Sequence, residues 1–352
     1  LRAGAPLEPY RFAANSLGPL DVEIAVSHCG ICHSDLHLID NDWGVSSYPL
    51  VPGHEIVGSV SRLGTAVTQL RAGQRVGVGW LAGACMNCEQ CFGGNENLCR
   101  RSQPTCIGRP GGYASHVRVD ARFAVALPDS LSSELAAPLL CAGITVFAPL
   151  QRQRLKPVSR VGVVGLGGLG HLAVQFAAAM GFAVTVFSTS AHKQEEAYGF
   201  GADRFVESSA PGVLSAAAGS CDLILTTVPV DLPWVEYLNL LKPNGHLCIV
   251  GASPGEVRVP AFALIGLFSR INLAASCRPV SPAKLTARYS GARSFTCECA
   301  TIAAAYIIAA KAPFCSHAPR PIAQEPPITK GAPSTIAPEN GSLIPAAGNV
   351  IA

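Results

Sequence analysis

The residues best suited to chemistry stand in one run, Cys29-Gly30-Ile31-Cys32-His33-Ser34-Asp35-Leu36-His37, answered by Gly53-His54-Glu55-Ile56-Val57-Gly58. Thiolate and neutral imidazole are the ligands zinc prefers, and a catalytic zinc keeps three protein ligands and one open position. One thiol of the first run, His54 and a later cysteine would make such a set. The best later candidate is Cys141, in Pro138-Leu139-Leu140-Cys141-Ala142-Gly143. Taken singly, Cys29-x-x-Cys32 also suits a redox pair or two small buried residues, and His54 a satisfied core histidine.

A second cysteine group is more specific. Cys85, Cys88, Cys91 and Cys99 stand as C-x2-C-x2-C-x7-C in a loop rich in Gly and Asn. Four thiolates with no histidine among them suit a closed tetrahedral structural zinc, with an iron–sulfur cluster as the competing use. The metal is expected to staple a lobe that would otherwise be loop.

The third motif is Gly165-Leu166-Gly167-Gly168-Leu169-Gly170, which follows the apolar strand Arg160-Val161-Gly162-Val163-Val164 and opens a helical run, His171 to Met180. In that context it reads as a dinucleotide fingerprint. The first glycine makes the tight turn, the second lets a pyrophosphate approach, and the third lets helix and strand pack closely. An NAD site would place Asp or Glu after the second strand, to hold the ribose hydroxyl. Ser188-Thr189-Ser190-Ala191-His192-Lys193 stands there instead. Hydroxyls and a lysine suit a 2′-phosphate, so NADP(H) is favoured over NAD(H). A Ser/Thr cap on the next helix with a solvated Lys193 is compatible with the same residues.

The elements that position these motifs fall into two patterns. From Asp21 to about Val119, short alternating strands (Asp21–Val26, Glu55–Leu63, Gln74–Gly79, Tyr113–Val119) are broken by glycine, which predicts a β-rich, barrel-like domain. After Cys141, strands at Arg160–Val164, Ala183–Phe187, Asp222–Val228 and Gly245–Val250 alternate with helix-length segments. That alternation predicts a doubly wound parallel sheet with helices on both faces.

At 352 residues the chain can hold two such domains. A net charge of +3 without any basic run is too small to suggest a nucleic-acid surface, so no nucleic-acid partner is expected. The 14 cysteines cluster at ligand spacing, and no charged-then-apolar leader is visible, so the expectation is thiolates in a reducing cytoplasm. No apolar run is expected to span a membrane. The chain opens on Leu1 without Met, so a few residues are expected to precede it.

Taken together, over roughly residues 5 to 285, these motifs resemble the zinc-dependent medium-chain alcohol dehydrogenases, in particular their cinnamyl-alcohol-dehydrogenase-like NADP branch. The Cys32 to His37 run, Gly53-His54-Glu55, the four-cysteine lobe, Leu140-Cys141-Ala142-Gly143 and the glycine fingerprint occur in family order. Cys₂His is the alcohol dehydrogenase zinc set. The resemblance implies a GroES-like catalytic domain over residues 1–144 with the structural zinc lobe at 85–99, and a Rossmann NADP-binding domain over 145–280.

It also implies roles for residues. Cys32, His54 and Cys141 would ligate the catalytic zinc and Cys29 would not. Glu55 would approach the metal when the open site is empty, and Asp35 would orient the His54 ring. Two zincs per chain and NADP(H) are the implied cofactors. The alcohol oxygen is activated at the metal, hydride passes to nicotinamide, and the proton leaves from Ser34 through the ribose hydroxyls to His37. His33 matches a pyrophosphate contact, and the fingerprint residues, Ser188, Thr189, Lys193, Val250 and Gly251 fall on cofactor positions. Trp43 and Trp80 resemble the walls of the substrate pocket, with ordinary core as the competing use. The implied substrate is a primary alcohol or aldehyde, aromatic or aliphatic, and the family's dimers pair through a sheet edge near residues 265 to 276.

Beyond about Leu285 the resemblance fails. The last 67 residues hold eight prolines and only three acidic residues, which leaves room for one helix, Thr301 to Ala312. The segment 281–352 is where the family's chain returns to the first domain, and this one reads as disordered or frameshifted. A zinc-stabilised NADP-binding protein, catalytically impaired by that tail, is therefore the alternative function.

Overall fold

Strand Asp21–Cys29 alternates as its sequence requires, burying Val22 and Ile24 completely while its polar residues stay partly exposed. It lies in a five-stranded antiparallel sheet in the order His116–Asp120, Asp21–Cys29, Ile56–Leu63, Arg75–Val78, Val125–Ala126. The coordinates are a computed structural model that describes residues 2–14, 16–252, 256–267 and 270–273. Opposite Val57 and Gly58 the first strand is bulged, with Ser27 unpaired in the ladder and its hydroxyl donating to the Val57 carbonyl. A bulge bends its strand, and here the bend lies just before Cys29. The expected end at Val26 is thus three residues short.

The second sheet is parallel, in the order Arg204–Glu207, Ala183–Ser188, Arg160–Val164, Cys221–Thr226, Leu241–Ile249, Arg270–Leu273. Numbered by chain order that is 3-2-1-4-5-6, the Rossmann arrangement, with its switch point between Arg160–Val164 and Cys221–Thr226. Both faces are covered. Leu223 and Leu225 pack with Phe176 on one side, and Ile224 with Trp234 and Leu247 on the other. Helix Gly168–Ala179 follows the glycine turn as expected, starting three residues before His171.

A long helical segment, 133–152, joins the two domains and runs through residue 144. It is built as Ser133–Pro138, a π-helical turn Leu139–Gly143, and Ile144–Arg152. Pro138 has no N–H and disturbs the regular ladder, and a wide turn follows it. The segment is clamped by Phe147, 1% exposed, whose ring lies 5.6 Å from that of Phe176. By length and composition it is the one helix among the described residues apolar enough to cross a membrane, a stretch that the sequence reading passed over. In this fold 61% of its apolar window is buried inside the protein.

Both sheets lie in one compact unit, Leu1–Pro313; a second, Phe314–Ala352, lies outside the described residues. The expected helix Thr301–Ala312 and the reading of 281–352 as disordered or frameshifted also fall outside them.

Candidate active site

Cys32 is the N-cap of helix His33–Asp40, and Asp35 in its first turn accepts the Cys32 amide at 3.0 Å. Gly53 and His54 enter from the loop before Ile56–Leu63. Gly53 holds φ +100°, and a Cβ there would meet the Tyr113 amide at 2.7 Å, so only glycine fits. Cys141 arrives on the π-helical turn. These segments, 109 residues apart in the chain, bring the Cys32 and Cys141 sulfurs to 3.9 Å.

The donor set fits one ion. A tetrahedral zinc with Zn–S near 2.3 Å holds its sulfurs about 3.8 Å apart. One ligand atom each from Cys32, His54, Glu55 and Cys141 lie mutually within 4.8 Å. His54 is fully buried, and its Nε2 has no hydrogen-bond partner. A buried polar atom without a partner is costly, and a metal at this point would satisfy it.

Of the same ligands, Cys32, His54 and Glu55 are shifted far from their ordinary titration range, Cys32 toward its ligating form. The Cys32 thiol is lowered to about 4, chiefly by the hydrogen bond with Cys141, against the effect of burial. Burial instead lifts Cys29 to about 11, so of the C-x-x-C pair only Cys32 is ready as a thiolate. Burial pulls His54 down, but the Asp35 carboxylate together with the Cys106 and Cys32 thiols beside the ring outweighs it and holds the ring up at about 12, so a metal at Nε2 takes the place of a proton. Glu55 is raised to about 7 by burial and by the Cys32 charge.

Asp35 ties the site together. Its Oδ1 accepts from Gly53 N at 2.9 Å and pairs with His54 Nδ1 at 3.0 Å, while Oδ2 accepts from Cys32 N and the Tyr113 hydroxyl. With Nδ1 held as the donor, Nε2 is left to face the metal. Tyr113 and the buried Cys106, which clusters with Asp35 and His54, were not identified from sequence. Each is an isolated residue type far along the chain, with no spacing signal.

A line of rings leads away from His54. Trp80 stands edge-on to it at 5.0 Å, Trp43 lies 6.3 Å from Trp80, His37 5.0 Å from Trp43, and His33 4.8 Å from His37. Both tryptophans are half-buried, which favours a wall over core. His37 Nδ1 meets Asp42 Oδ2 at 2.6 Å, a partner the sequence reading did not name. Ser34, half-buried, sits one helical turn before it.

In the lobe, the Cys85, Cys88, Cys91 and Cys99 sulfurs lie mutually within 4.8 Å, with Cys88–Cys91 at 3.6 Å and Cys85–Cys91 at 3.8 Å. Those separations match one tetrahedral ion, whereas a cluster of several irons would spread its cysteines.

The cofactor motif lies at the carboxyl end of Arg160–Val164. Gly165 has φ +91°, and a Cβ on Gly170 would strike the Gly165 carbonyl at 2.1 Å, so both must be glycine. At Gly167 and Gly168 an added Cβ meets nothing within 4 Å, which leaves an open cradle at the start of the helix. The cradle fits a diphosphate. Leu166 is buried and Leu169 packs on the same core, so these two offer backbone only. Val250 and Gly251 lie beside it, their amides donating to the Thr226 carbonyl. Of the expected 2′-phosphate residues, Thr189 is exposed and Ser188 Oγ accepts the Ser190 amide. Lys193 Nζ is 2.7 Å from Glu196 in an exposed ion pair, so the side chain is both paired and in reach of solvent.

A family model described as alcohol dehydrogenase GroES-like domain matches residues 18–129, and one described as zinc-binding dehydrogenase matches 168–287. The chain is 45% identical over 265 residues to an aldehyde reductase of Synechocystis, covering 75% of this chain and 79% of that protein. The chain belongs to the zinc-dependent medium-chain alcohol dehydrogenases, in the cinnamyl-alcohol-dehydrogenase-like branch. Among solved structures, a cinnamyl alcohol dehydrogenase of Sorghum bicolor superposes with a TM-score of 0.74 at 44% identity, covering 76% of this chain and 79% of that one. The CAD of Helicobacter pylori, complexed with NADP(H), gives 0.70 at 33% identity, with the same coverages. This dehydrogenase therefore combines a GroES-like domain with a Rossmann domain, as its residue patterns implied.

Proposed function

We propose that this dehydrogenase interconverts primary alcohols and aldehydes with NADP(H), with Cys32, His54 and Cys141 holding a catalytic zinc and Cys85, Cys88, Cys91 and Cys99 a structural one. The observation that carries the reading is the convergence of two sulfurs 3.9 Å apart with an unpartnered, fully buried His54 Nε2. Relatives named for aldehyde and cinnamyl alcohol chemistry support the substrate class, and the NADP(H) complex of the Helicobacter pylori protein supports the cofactor. Nothing in those comparisons supports the impaired binding protein.

When bound, the zinc polarises the substrate oxygen as a Lewis acid, and the nicotinamide carries the hydride. Asp35 holds the His54 ring in its ligating orientation. Cys32 and Cys141 remain thiolates, and the Glu55 carboxyl waits beside them. Trp43 and Trp80 shield the reacting carbon from water and offer flat surfaces to an aromatic aldehyde. Ser34 Oγ passes a proton between the substrate and the outside. Asp42 engages His37 Nδ1, which leaves Nε2 to exchange that proton with solvent. Ser188, Thr189 and Lys193 read the 2′-phosphate, and His33 touches the pyrophosphate. The enzyme works in the cytoplasm, where thiolate ligands stay reduced. It forms a homodimer through the edge strand Arg270–Leu273, which among the described residues is paired only with Leu241–Ile249.

An aldehyde panel with NADPH, run on zinc-replete protein, tests the assignment. NADPH absorbance falls when benzaldehyde or cinnamaldehyde is added. A protein that binds zinc and NADPH yet turns over no aldehyde in the panel overturns it.

A further inference from the structure

The helix that opens the cofactor cradle starts with two adjacent glycines, Gly167 and Gly168. Neither has a Cβ to hinder rotation of the peptide between them, so a flip of that peptide meets no side-chain clash and is opposed by the hydrogen bonds its carbonyl accepts. The consequence for an anion is large. The Gly168 N–H is among the first amides of the helix, which have no intrahelical acceptor and so point at the ligand. A flipped peptide would present the Gly167 carbonyl oxygen to the phosphate instead.

One side chain opposes that flip. The Gly167 carbonyl accepts the His171 amide at 3.0 Å, as the helix requires, and His171 Nδ1 reaches the same oxygen, also at 3.0 Å. A carbonyl cannot donate, so Nδ1 carries the proton. Because the peptide is planar, fixing its C=O from two sides also fixes the N–H of Gly168 on the opposite edge. The imidazole is steadied in turn. Its ring lies 5.5 Å from that of Phe200, which follows helix Gln194–Gly199. Phe200 thus ties the ring to the segment that begins with Ser188 to Lys193.

We propose that His171 is a positioning residue of the cofactor site: its Nδ1–H locks the Gly167–Gly168 peptide so that the Gly168 amide faces the diphosphate of the nicotinamide cofactor. This rests on the NADP(H) reading above, and wild-type NADPH binding is the control for it. If the wild type binds no NADPH, the cofactor reading fails and not the lock.

The test compares His171→Leu, which keeps an apolar side chain against Phe200 and loses the hydrogen bond, with His171→Asn, whose amide nitrogen takes the place of Nδ1. Dissociation constants for NADPH and NADH are measured by fluorescence titration on zinc-loaded protein, together with the Tm of the free protein. His171→Leu raises both constants by the same factor, about two- to tenfold, as one lost hydrogen bond allows. His171→Asn stays within about twofold of wild type, and both variants keep a Tm within a few degrees of the wild type. The lock is overturned if His171→Leu binds as the wild type does, or if His171→Asn is as weak as His171→Leu. A loss confined to NADPH also overturns it, since that would mean direct contact with the 2′-phosphate.

Discussion

Replacing Asp35 with Asn changes one atom in a side chain that is 1% exposed and takes four donors. The asparagine oxygen can serve Gly53 and His54 as Oδ1 does now, but its NH₂ then faces the Cys32 amide and the Tyr113 hydroxyl. The hydroxyl can rotate and accept. The Cys32 amide cannot, and leaving this part-buried N–H against another donor costs about 1–3 kcal/mol. That cost falls on the link between two ligand segments. Loss of a partner behind a metal ligand weakens binding about 10–100-fold, equal to about 1.4–2.7 kcal/mol, so the two routes agree. The assay is zinc content after equilibration with graded chelator. In Asp35→Asn the catalytic zinc leaves at a chelator concentration about 10–100-fold lower, while the Cys85 lobe, which makes no bond to Asp35, keeps the wild-type midpoint. An unchanged midpoint for the catalytic zinc would refute the reasoning. Equal weakening at both sites would refute it too, because it would indicate a general loss of fold.

Three further outcomes follow from the geometry. In zinc-free protein, the Glu55 carboxyl, raised by burial from 4.5 to about 7, favours the fold when protonated; its contribution is complete below pH 4.5 and lost as pH rises through about 7. At about 1.4 kcal/mol per pH unit, denaturant unfolding of Glu55→Gln should lack about 3 kcal/mol of the wild type's decline over that window, and parallel pH curves would contradict this. Glu196→Gln releases Lys193 from its ion pair, worth less than about 1 kcal/mol, so Tm barely moves while KM for NADPH falls and KM for NADH does not; an unchanged KM for NADPH removes Lys193 from the 2′-phosphate site. Trp80→Ala should lower kcat/KM for benzaldehyde about 3–10-fold more than for a short aliphatic aldehyde, the scale of one aromatic contact, and equal losses would return Trp80 to a packing role.

Much of the site was legible because its chemistry forces local spacing. Four lobe cysteines must surround one ion, and the fingerprint glycines must make one turn, so Cys85 to Cys99 and Gly165 to Gly170 announce themselves. Cys141 stood as a candidate later thiol, and only the family resemblance made it a ligand, since nothing in its own neighbourhood shows that it meets Cys32. Partners set by tertiary packing were not readable. Tyr113 lies 78 residues from Asp35, and the bulge at Ser27 that carries the first strand on to Cys29 depends on a neighbouring strand. The π-helical turn under Cys141 had a visible cause in Pro138, but a proline in a helix more often announces an end. The Glu196 partner of Lys193 stood three residues along the same strand-to-helix stretch, a spacing at which an ion pair can be read directly.

The central claim is that Cys32, His54 and Cys141 share one zinc on which turnover depends. Its most direct test is zinc per chain and aldehyde turnover in Cys141→Ser, beside the wild type. The expected result is one zinc in place of two, retained in the Cys85 lobe, with NADPH still bound and turnover abolished. A variant that keeps both zincs and reduces aldehydes at the wild-type rate would contradict it.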